Sequence, residues 1–257
     1  MNPALTGTSR TLRRVYAPYT WLIYIPFLGV WTALMGSVAM LLAALVPRQA
    51  FWAGTAWARV LCWMNVTRVT LTGMENMRPG TSYVIMANHQ SNFDVLALYG
   101  HWRRQFRWVM KQSLRTVPFL GRACDRLGHV FVDRRDRGRA VASLNEARSR
   151  IRDGISILFF PEGTRSADGR LLTFKKGGFV MAQDMGLEIL PVSITGSYRV
   201  LPKGTLSLLP GHIRITIHAP IDPSNHGSDL DALINAVRGS ITAGLSRWER
   251  NEGSASP

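Results

Sequence analysis

The chain begins with an unbroken apolar stretch. From Val15 to Pro47, between Arg14 and Arg48, 33 consecutive residues carry no charged side chain. A helix needs only about 20 apolar residues to cross a bilayer, and the apolar part of a cleavable signal peptide is shorter, ~7–15 residues. A helix in a soluble core is rarely apolar on every face. The pattern therefore predicts a helix in contact with a membrane.

A second apolar pattern runs from Phe51 to Val66. Its apolar side chains recur at helical spacing, at Phe51, Trp52, Ala56, Trp57, Val60, Leu61 and Met64. Five of the eight tryptophans precede residue 65, and the first 74 residues contain no Asp or Glu. Because tryptophan favours the headgroup region and arginine favours anionic lipid, we expect an interfacial helix here.

Two membrane geometries fit this segment. One is a single tilted span, and the other is a helical hairpin in one leaflet with a break at Pro26 or Gly29. Arginines flank the apolar stretch at both ends, so the distribution of positive charge does not choose an orientation.

From about Thr67 the pattern changes to short apolar runs that alternate with helical periodicity. The predicted strands are Val66–Leu71, Tyr83–Ala87, Arg107–Met110, Val130–Val132, Ile155–Phe160, Ile189–Ile194 and Ile213–His218. The predicted helices are Arg139–Arg152, Lys176–Met185 and a C-terminal helix that Ser228 caps and that continues to Leu245. This alternation indicates an α/β fold with a mostly parallel sheet flanked by helices, preceded by an N-terminal hydrophobic helical membrane segment.

Three parts of the chain follow from these patterns. Residues 1–65 are the predicted membrane-binding segment, and residues 66–250 are the predicted α/β domain. Residues 251–257 are polar and are predicted to be a disordered tail.

Charge points to an anionic partner. The chain has 31 Lys and Arg against 16 Asp and Glu, a formal net charge of +15. This excludes an acidic solvating protein and favours nucleic acid, an anionic membrane or phosphorylated substrates. Two cysteines, Cys62 and Cys124, are too few for a zinc site or a disulfide framework, and we expect both to be buried.

The first candidate for chemistry is Asn88–Asp94, directly after the strand predicted at Tyr83–Ala87. Catalytic groups gather at the carboxyl ends of strands in open α/β sheets. If His89 lies in the loop and Asp94 in the first helical turn, Asp94 can accept one imidazole N–H and leave the other nitrogen as a base. Alternatively, Ser91-x-x-Asp94 is a capping box that only closes the helix start.

A second candidate, Phe159–Ser166, also follows a predicted buried strand. Gly163 permits close approach to the backbone, Arg165 offers a bidentate fork for phosphate, and Thr164 or Ser166 adds a hydroxyl. The alternative is a turn held by a Glu162–Arg165 ion pair.

The third candidate combines Lys111–Gly121 with Gly128–Arg134. Lys111 and Arg134 lie at the ends of predicted strands, so both can reach the same sheet edge. The run of arginines that starts at Arg134 is otherwise a solvated basic surface.

Four segments occur in this order after the membrane segment: Asn88–Asp94, Gly128–Arg134, Phe160–Ser166 and Leu190–Val192. Together they resemble the motif blocks of the glycerolipid acyltransferases, in particular the bacterial branch that acylates 1-acylglycerol-3-phosphate. The Lys111–Gly121 stretch is also typical of that branch. The resemblance covers roughly residues 60 to 220, and the pairing of His-x4-Asp with Pro-Glu-Gly-Thr-Arg-Ser is its most specific part.

The resemblance implies roles for individual residues. His89 would be the general base that takes the proton from the hydroxyl of a lysolipid, and Asp94 would orient it. Other residues would form the acceptor site and its phosphate clamp, namely Glu162, Gly163, Thr164, Arg165 and Arg134, with Lys111 and Lys175 as weaker candidates. Attack would be direct, with no acyl-enzyme, which agrees with the lack of a Gly-x-Ser-x-Gly motif in the sequence.

The resemblance also implies partners and a location. The acyl donor would be acyl-CoA or acyl carrier protein, with no bound cofactor and no metal. The acceptor would be a lysophospholipid in a lipid bilayer, and the product phosphatidic acid, made for phospholipid biosynthesis. The location would be the bacterial inner membrane with the catalytic domain on its cytoplasmic face. We expect residues 1–65 to deliver this domain to the membrane and not to take part in the chemistry.

Other functions stay open. A related enzyme would use another acceptor, such as glycerol-3-phosphate or a lyso-aminolipid. A basic membrane or nucleic-acid binder without enzymatic activity would also fit the charge, but it leaves the His89–Asp94 spacing unexplained. Since the sequence contains no recognisable RNA-binding or helix-turn-helix motif, we expect no nucleic-acid partner.

Overall fold

The computed structural model describes residues 7–133 and 135–250. Arg134 and the predicted tail, 251–257, lie outside the described residues. The helices are α1 Gly7–Tyr19, α2 Ile25–Leu45, α3 Pro47–Met64, α4 Phe93–His101, α5 Leu120–Arg126, α6 Arg137–Ala147, α7 Gly177–Met185, α8 Ser197–Val200 and α9 Leu230–Ala243. The strands are β1 Thr67–Thr72, β2 Val84–Ala87, β3 Phe106–Lys111, β4 Val130–Val132, β5 Ser156–Phe159, β6 Ile189–Thr195 and β7 Gly211–Ile217.

Within the described residues, seven strands form one mixed sheet in the order β1-β7-β6-β2-β5-β3-β4. Every neighbouring pair is parallel except β6 and β7. The predicted α/β class and mostly parallel sheet are confirmed, and each of the seven predicted strands is present with its ends shifted by at most two residues. β2 and β5 are adjacent in the centre, so the loops that follow them lie side by side.

Side chains alternate between two apolar cores on the two faces of the sheet. In β2, Ile85 and Ala87 belong to one core, whereas Val84 and Met86 belong to the other. A strand that is buried on both faces has apolar residues at nearly every position, as β2 and β5 do here. Helices α3 and α4 cover the first face, and α6, α7 and α9 contribute to the second.

The N-terminal helices fold back on each other, but at a different point from the one predicted. The chain is helical from α1 through a π-helical turn into α2, and it turns at Val46 (φ −141°, ψ 69°) into α3. Pro26 lies in the first turn of α2 and Gly29 lies within it, so the predicted break at either residue is wrong. Proline has no N–H to donate to the preceding turn of a helix. The π-helical turn, which has a different hydrogen-bond pattern, lies just before Pro26, and the chain stays helical there.

The helical hairpin formed by α2 and α3 is buried on one side and exposed on the other. Phe51, Ala58 and Leu61 of α3 are buried in the core of the α/β domain, as is Cys62. On the outer side, large apolar side chains are exposed, namely Trp21, Leu22, Ile23, Val30, Leu34, Leu41, Leu45, Val46, Trp52 and Trp63. In the part of the chain that the structure describes, Thr11–Leu45 is the one helix long and apolar enough to cross a membrane.

The C-terminal helix starts one residue later than predicted. Asp229, not Ser228, is the N-cap of α9, and its carboxylate accepts the N–H of Ala232. An ionised carboxylate at this position also interacts favourably with the helix dipole, which explains the preference for Asp229.

Candidate active site

The site lies where β2 and β5 end. Met86 of β2 pairs with Phe159 of β5, so the loops at 88–92 and 160–166 leave the sheet next to each other. The N–H of Ser166 donates to the carbonyl of His89 at 2.8 Å and joins the two loops directly.

His89 is held by Asp94. Its Nδ1 lies 2.8 Å from Oδ2 of Asp94, which is fully buried, while the imidazole side chain is 11% exposed. A carboxylate only accepts hydrogen bonds, so Nδ1 carries the proton and Nε2 has its lone pair free. Nε2 has no hydrogen-bond partner among the described residues. This is the arrangement that a general base requires.

The imidazole ring is also fixed by stacking. It lies against the ring of Phe160, with 3.9 Å between the centroids and 11° between the planes. Phe160 is the first residue after β5, so the two motifs build one face of the site together. Rotation of His89 away from Asp94 would break this contact as well as the hydrogen bond.

Asp94 has two tasks. The same oxygen that accepts from His89 also accepts the backbone N–H of Gln90 at 2.7 Å and of Ser91 at 2.8 Å. The Ser91 contact is half of a capping box, so the structure contains both this contact at the helix start and the contact with His89 on which the catalytic interpretation depends. Asp94 holds the loop and the imidazole through one carboxylate.

Glu162 has a different position from the one that the sequence suggests. It is 3% exposed, and its oxygens accept the N–H of His89 at 2.6 Å and of Leu172 at 2.9 Å. It forms no ion pair with Arg165. Both of its oxygens thus hold backbone N–H groups, and the expected role of Glu162 in the acceptor site stays a prediction. Glu162 lies under the loop at 88–92.

Burial gives this carboxyl group a pH dependence. Desolvation raises the pKa of Glu162 from 4.5 to about 7, against the opposing effect of its two backbone hydrogen bonds. A raised folded-state pKa stabilises the fold fully below the ordinary value, and this contribution is lost as the pH rises towards the folded-state value. We therefore expect the free energy of unfolding to fall, relative to Glu162→Gln, between about pH 4.5 and 7, by at most about 3 kcal/mol.

Denaturant unfolding of the wild type and of Glu162→Gln in detergent micelles, at several pH values across this window, measures that difference. Asp184→Asn, which removes an exposed carboxylate that pairs with Arg148, is the control. Parallel curves for the wild type and Glu162→Gln would mean that Glu162 does not titrate there.

The loop after Glu162 presents backbone donors. Gly163 has φ +68°, and a side chain at this position would meet the Lys175 side chain at 2.8 Å. The N–H of Gly163 is used by the carbonyl of Phe160. The next two amides, of Thr164 and Arg165, donate to no acceptor in the described part of the chain, which makes them the better candidates for stabilising an oxyanion.

Basic side chains surround the same loop. Lys203 donates to the carbonyl of Arg165 at 2.7 Å and lies 3.3 Å from the hydroxyl of the exposed Thr164. The Arg165 guanidinium is half-buried and has no carboxylate within 4.0 Å among the described residues. Lys175 is exposed above Gly163. These cations are available for an anionic group of a substrate.

The remaining predicted residues are less closely connected. Lys111 ends β3, two strands away from β2, and its exposed side chain has no partner in the described part of the chain. Ser166 is fully buried, and its hydroxyl binds Asp168 and Gly169 instead of facing solvent. Arg134 lies outside the described residues, so its predicted role in phosphate binding stays a prediction.

Several supporting residues had no sequence signal. The Asn88 side chain forms two hydrogen bonds with the backbone of Ile194 in β6, at 2.7 and 2.8 Å. The Gln90 amide donates to Glu249 at 3.0 Å, and Glu249 also accepts the N–H of Gly196. These partners are 53 to 159 residues apart in the chain, and no local pattern could have paired them.

An apolar cavity of about 320 Å³ opens beside the loop at 88–92. Its lining includes Asn92 from that loop and Phe93 at the start of α4, and Tyr24, Leu28 and Met35 from the π-helical turn and α2. Residues of the segment that the sequence analysis assigns to membrane binding therefore form one wall of this cavity, and the expectation that the segment takes no part in the chemistry stays a prediction.

Comparisons with known proteins bear on this site. The acyltransferase family model matches residues 68–195. The chain is 32% identical over 167 residues to a 1-acyl-sn-glycerol-3-phosphate acyltransferase of Borreliella burgdorferi, covering 65% of this chain and 67% of that protein. It is 36% identical over 180 residues to one from Chlamydomonas reinhardtii, covering 69% of this chain and 53% of that protein.

A solved structure is similar over most of its length. It is the crystal structure of the 1-acyl-sn-glycerophosphate acyltransferase PlsC from Thermotoga maritima, with a TM-score of 0.78, 28% identity, and coverage of 90% of this chain and 95% of that one. The chain spans about half the length of the algal and plant relatives that it matches.

Proposed function

The chain belongs to the acyltransferase family, and from this premise we propose that it transfers a fatty acyl group from a thioester to the free hydroxyl of 1-acylglycerol-3-phosphate, giving phosphatidic acid. The observation that carries the proposal is the His89 imidazole, held through Nδ1 by the buried Asp94 at 2.8 Å with Nε2 free, beside an apolar cavity. The names of the curated relatives support this choice of acceptor.

The chemistry needs a base and a stabilised oxyanion. Nε2 of His89 takes the proton from the acceptor hydroxyl as its oxygen attacks the thioester carbonyl. The carbonyl oxygen becomes an oxyanion, to which the N–H groups of Thr164 and Arg165 can donate. The C–S bond then breaks, the new ester forms, and the imidazolium returns its proton to the thiolate. No acyl-enzyme is needed, because the thioester is already activated.

Asp94 lowers the free energy of the imidazolium that this proton transfer produces. As the imidazole becomes positively charged, its Nδ1–H faces a buried carboxylate 2.8 Å away. In a site of low dielectric constant such an interaction is stronger than in water. Glu162 contributes indirectly, by holding the backbone N–H of His89.

An acyl chain, the acceptor phosphate and the bilayer would contact different parts of the structure. The apolar cavity beside Asn92 and Phe93 suits an acyl chain, since apolar burial stabilises by about 25 cal/mol per Å². Arg165, with Lys203 and Lys175 near it, suits the phosphate of the acceptor. The exposed apolar side of α2 suits the bilayer, and we propose a cytoplasmic-facing enzyme of the bacterial inner membrane, with acyl-CoA or acyl carrier protein as its soluble donor.

Arg165→Lys tests the phosphate contact. The lysine keeps the charge and loses the bidentate fork, so we expect the KM for 1-acylglycerol-3-phosphate to rise about tenfold. The KM for the donor should stay within about twofold. Steady-state kinetics with each substrate varied in turn measure both constants, with Arg103→Lys, an exposed arginine outside the site, as the control. If only the donor KM rises, Arg165 contacts the thioester instead.

An acceptor screen tests the function itself. The purified chain in vesicles is incubated with acyl-CoA or acyl carrier protein thioesters and with 1-acylglycerol-3-phosphate, glycerol-3-phosphate or a lyso-aminolipid, and products are identified by mass spectrometry. We expect phosphatidic acid from the first acceptor as the main product, and none with His89→Ala. A faster reaction with either other acceptor would overturn the proposed substrate while leaving the acyl-transfer chemistry.

A further inference from the structure

A basic cavity lies at the opposite edge of the sheet from His89. It has a volume of about 510 Å³ and lies where β3 and β5 begin, next to the corner between α2 and α3. Four arginines line it, namely Arg107, Arg126, Arg150 and Arg152. Asp153 is the one acidic residue of its described lining. The cavity thus has a large excess of positive charge.

Two of the four arginines have an anionic partner and two do not. Arg150 is 2.6 Å from Glu146, and Arg152 is 3.8 Å from Asp153. Neither Arg107 nor Arg126 has a carboxylate within 4.0 Å in the described part of the chain. Burial and the nearby charge of Arg150 lower the pKa of Arg107, although Tyr99 opposes this. A half-buried cation beside another cation is an unfavourable arrangement that an anion would relieve.

The surroundings of the cavity point to a lipid. Ala43 and Pro47, from the hairpin corner, form its apolar side. Beside it, the side chains of Leu45 and Val46 are 69% and 40% exposed. Exposed apolar side chains next to arginines match the boundary between acyl chains and headgroups in a bilayer. A soluble phosphate would account for the arginines, but not for the apolar side.

From these observations we infer that this cavity binds the phosphate of an anionic phospholipid headgroup, as a second membrane contact separate from the catalytic site. Tyr24, which packs on Phe93 at the start of α4, lies near one end of α2, and Pro47 lies just beyond the other. At 1.5 Å per residue these points are about 35 Å apart. Two membrane contacts at that separation fix the tilt of the domain, so that the loop at 88–92, which carries His89, meets the headgroup plane.

The test compares two pairs of arginine substitutions that remove the same charge. Arg107→Gln/Arg126→Gln changes the cavity, whereas Arg103→Gln/Arg122→Gln changes exposed arginines near β3 and on α5 that do not line it. Co-flotation of the full chain measures its affinity for phosphatidylcholine vesicles with and without phosphatidylglycerol. Each surface Lys or Arg adds attraction to anionic lipid, so we expect the cavity variant to lose at least about tenfold in its preference for phosphatidylglycerol.

The control variant should lose less than about threefold. Equal losses in the two variants would overturn the inference, because diffuse charge would then explain the binding. Arg107→Lys/Arg126→Lys should keep most of the preference, and Arg126→Gln alone, at an exposed position, serves if the double variant does not fold.

Inorganic phosphate distinguishes the source of the ligand. If it raises the melting temperature of the wild type in micelles but not that of the cavity variant, while both bind vesicles equally, the site takes a soluble phosphate and the lipid assignment is wrong. Vesicle binding is measured without substrate, so the result is independent of whether the chain acylates 1-acylglycerol-3-phosphate.

Discussion

Replacing His89 by alanine is expected to lower kcat by roughly 10³-fold or more while the protein stays folded. Among the described residues of the site, the imidazole is the one group with a free basic nitrogen and an orienting carboxylate, at 2.8 Å. Removing it leaves the acceptor hydroxyl without a base, since Glu162 is occupied by backbone N–H groups. Acyl transfer to 1-acylglycerol-3-phosphate in vesicles, followed at saturating donor, measures the change.

His226→Ala is the matched control for this experiment, because His226 lies in the short turn before α9 and not in the loops at 88–92 and 160–166. Thermal unfolding of both variants shows whether the fold is kept. The slot left beside Phe160 also permits a second measurement, in which free imidazole should restore part of the rate of His89→Ala. A variant that keeps more than a tenth of the wild-type kcat would rule out His89 as the base.

Asp94→Asn is expected to lower kcat by about 10³-fold, with a much smaller effect on stability. The asparagine oxygen can still accept the N–H groups of Gln90 and Ser91, so the helix start is preserved. The same oxygen still accepts Nδ1–H of His89, but the uncharged amide does not stabilise an imidazolium as the carboxylate does, so proton transfer to His89 becomes slower. The loss should therefore appear in kcat, with little change in the KM of either substrate.

Asp184→Asn removes an exposed carboxylate from α7 and is the control for the change in charge. Stability measured by denaturant unfolding separates the two tasks of Asp94. If Asp94→Asn unfolds more easily but retains activity within about tenfold of the wild type, Asp94 is only a capping residue. If both activity and stability are unchanged, neither task depends on the negative charge.

The secondary structure was largely readable from the sequence. Strands such as β2 and β5 are buried on both faces, so they appear as short continuous apolar runs that end at polar residues. The His89–Asp94 contact was also accessible, because it spans five residues and depends on one loop and the first turn of one helix. Features that depend on a few residues close together in the chain can be predicted from the local sequence pattern.

The path of the membrane segment was harder to predict. Pro26 and Gly29 are the residues that usually interrupt a helix, but a π-helical turn accommodates the proline, and the chain turns at Val46 instead. Which residue makes the corner depends on how α2 packs on α3 and α5. Within a stretch that is apolar throughout, periodicity carries no information about such packing.

By itself, the sequence of this protein determined the α/β class, the positions of the strands, the apolar segment before them and the local pair His89 and Asp94. Only the tertiary structure decided that Glu162 lies under the loop, that Glu249 reaches Gln90 across 159 residues, and that α2 forms a wall of the apolar cavity. The physical reason is that burial and hydrogen bonding between distant segments depend on sheet order and helix packing. The order of residues along the chain carries no comparable signal for them.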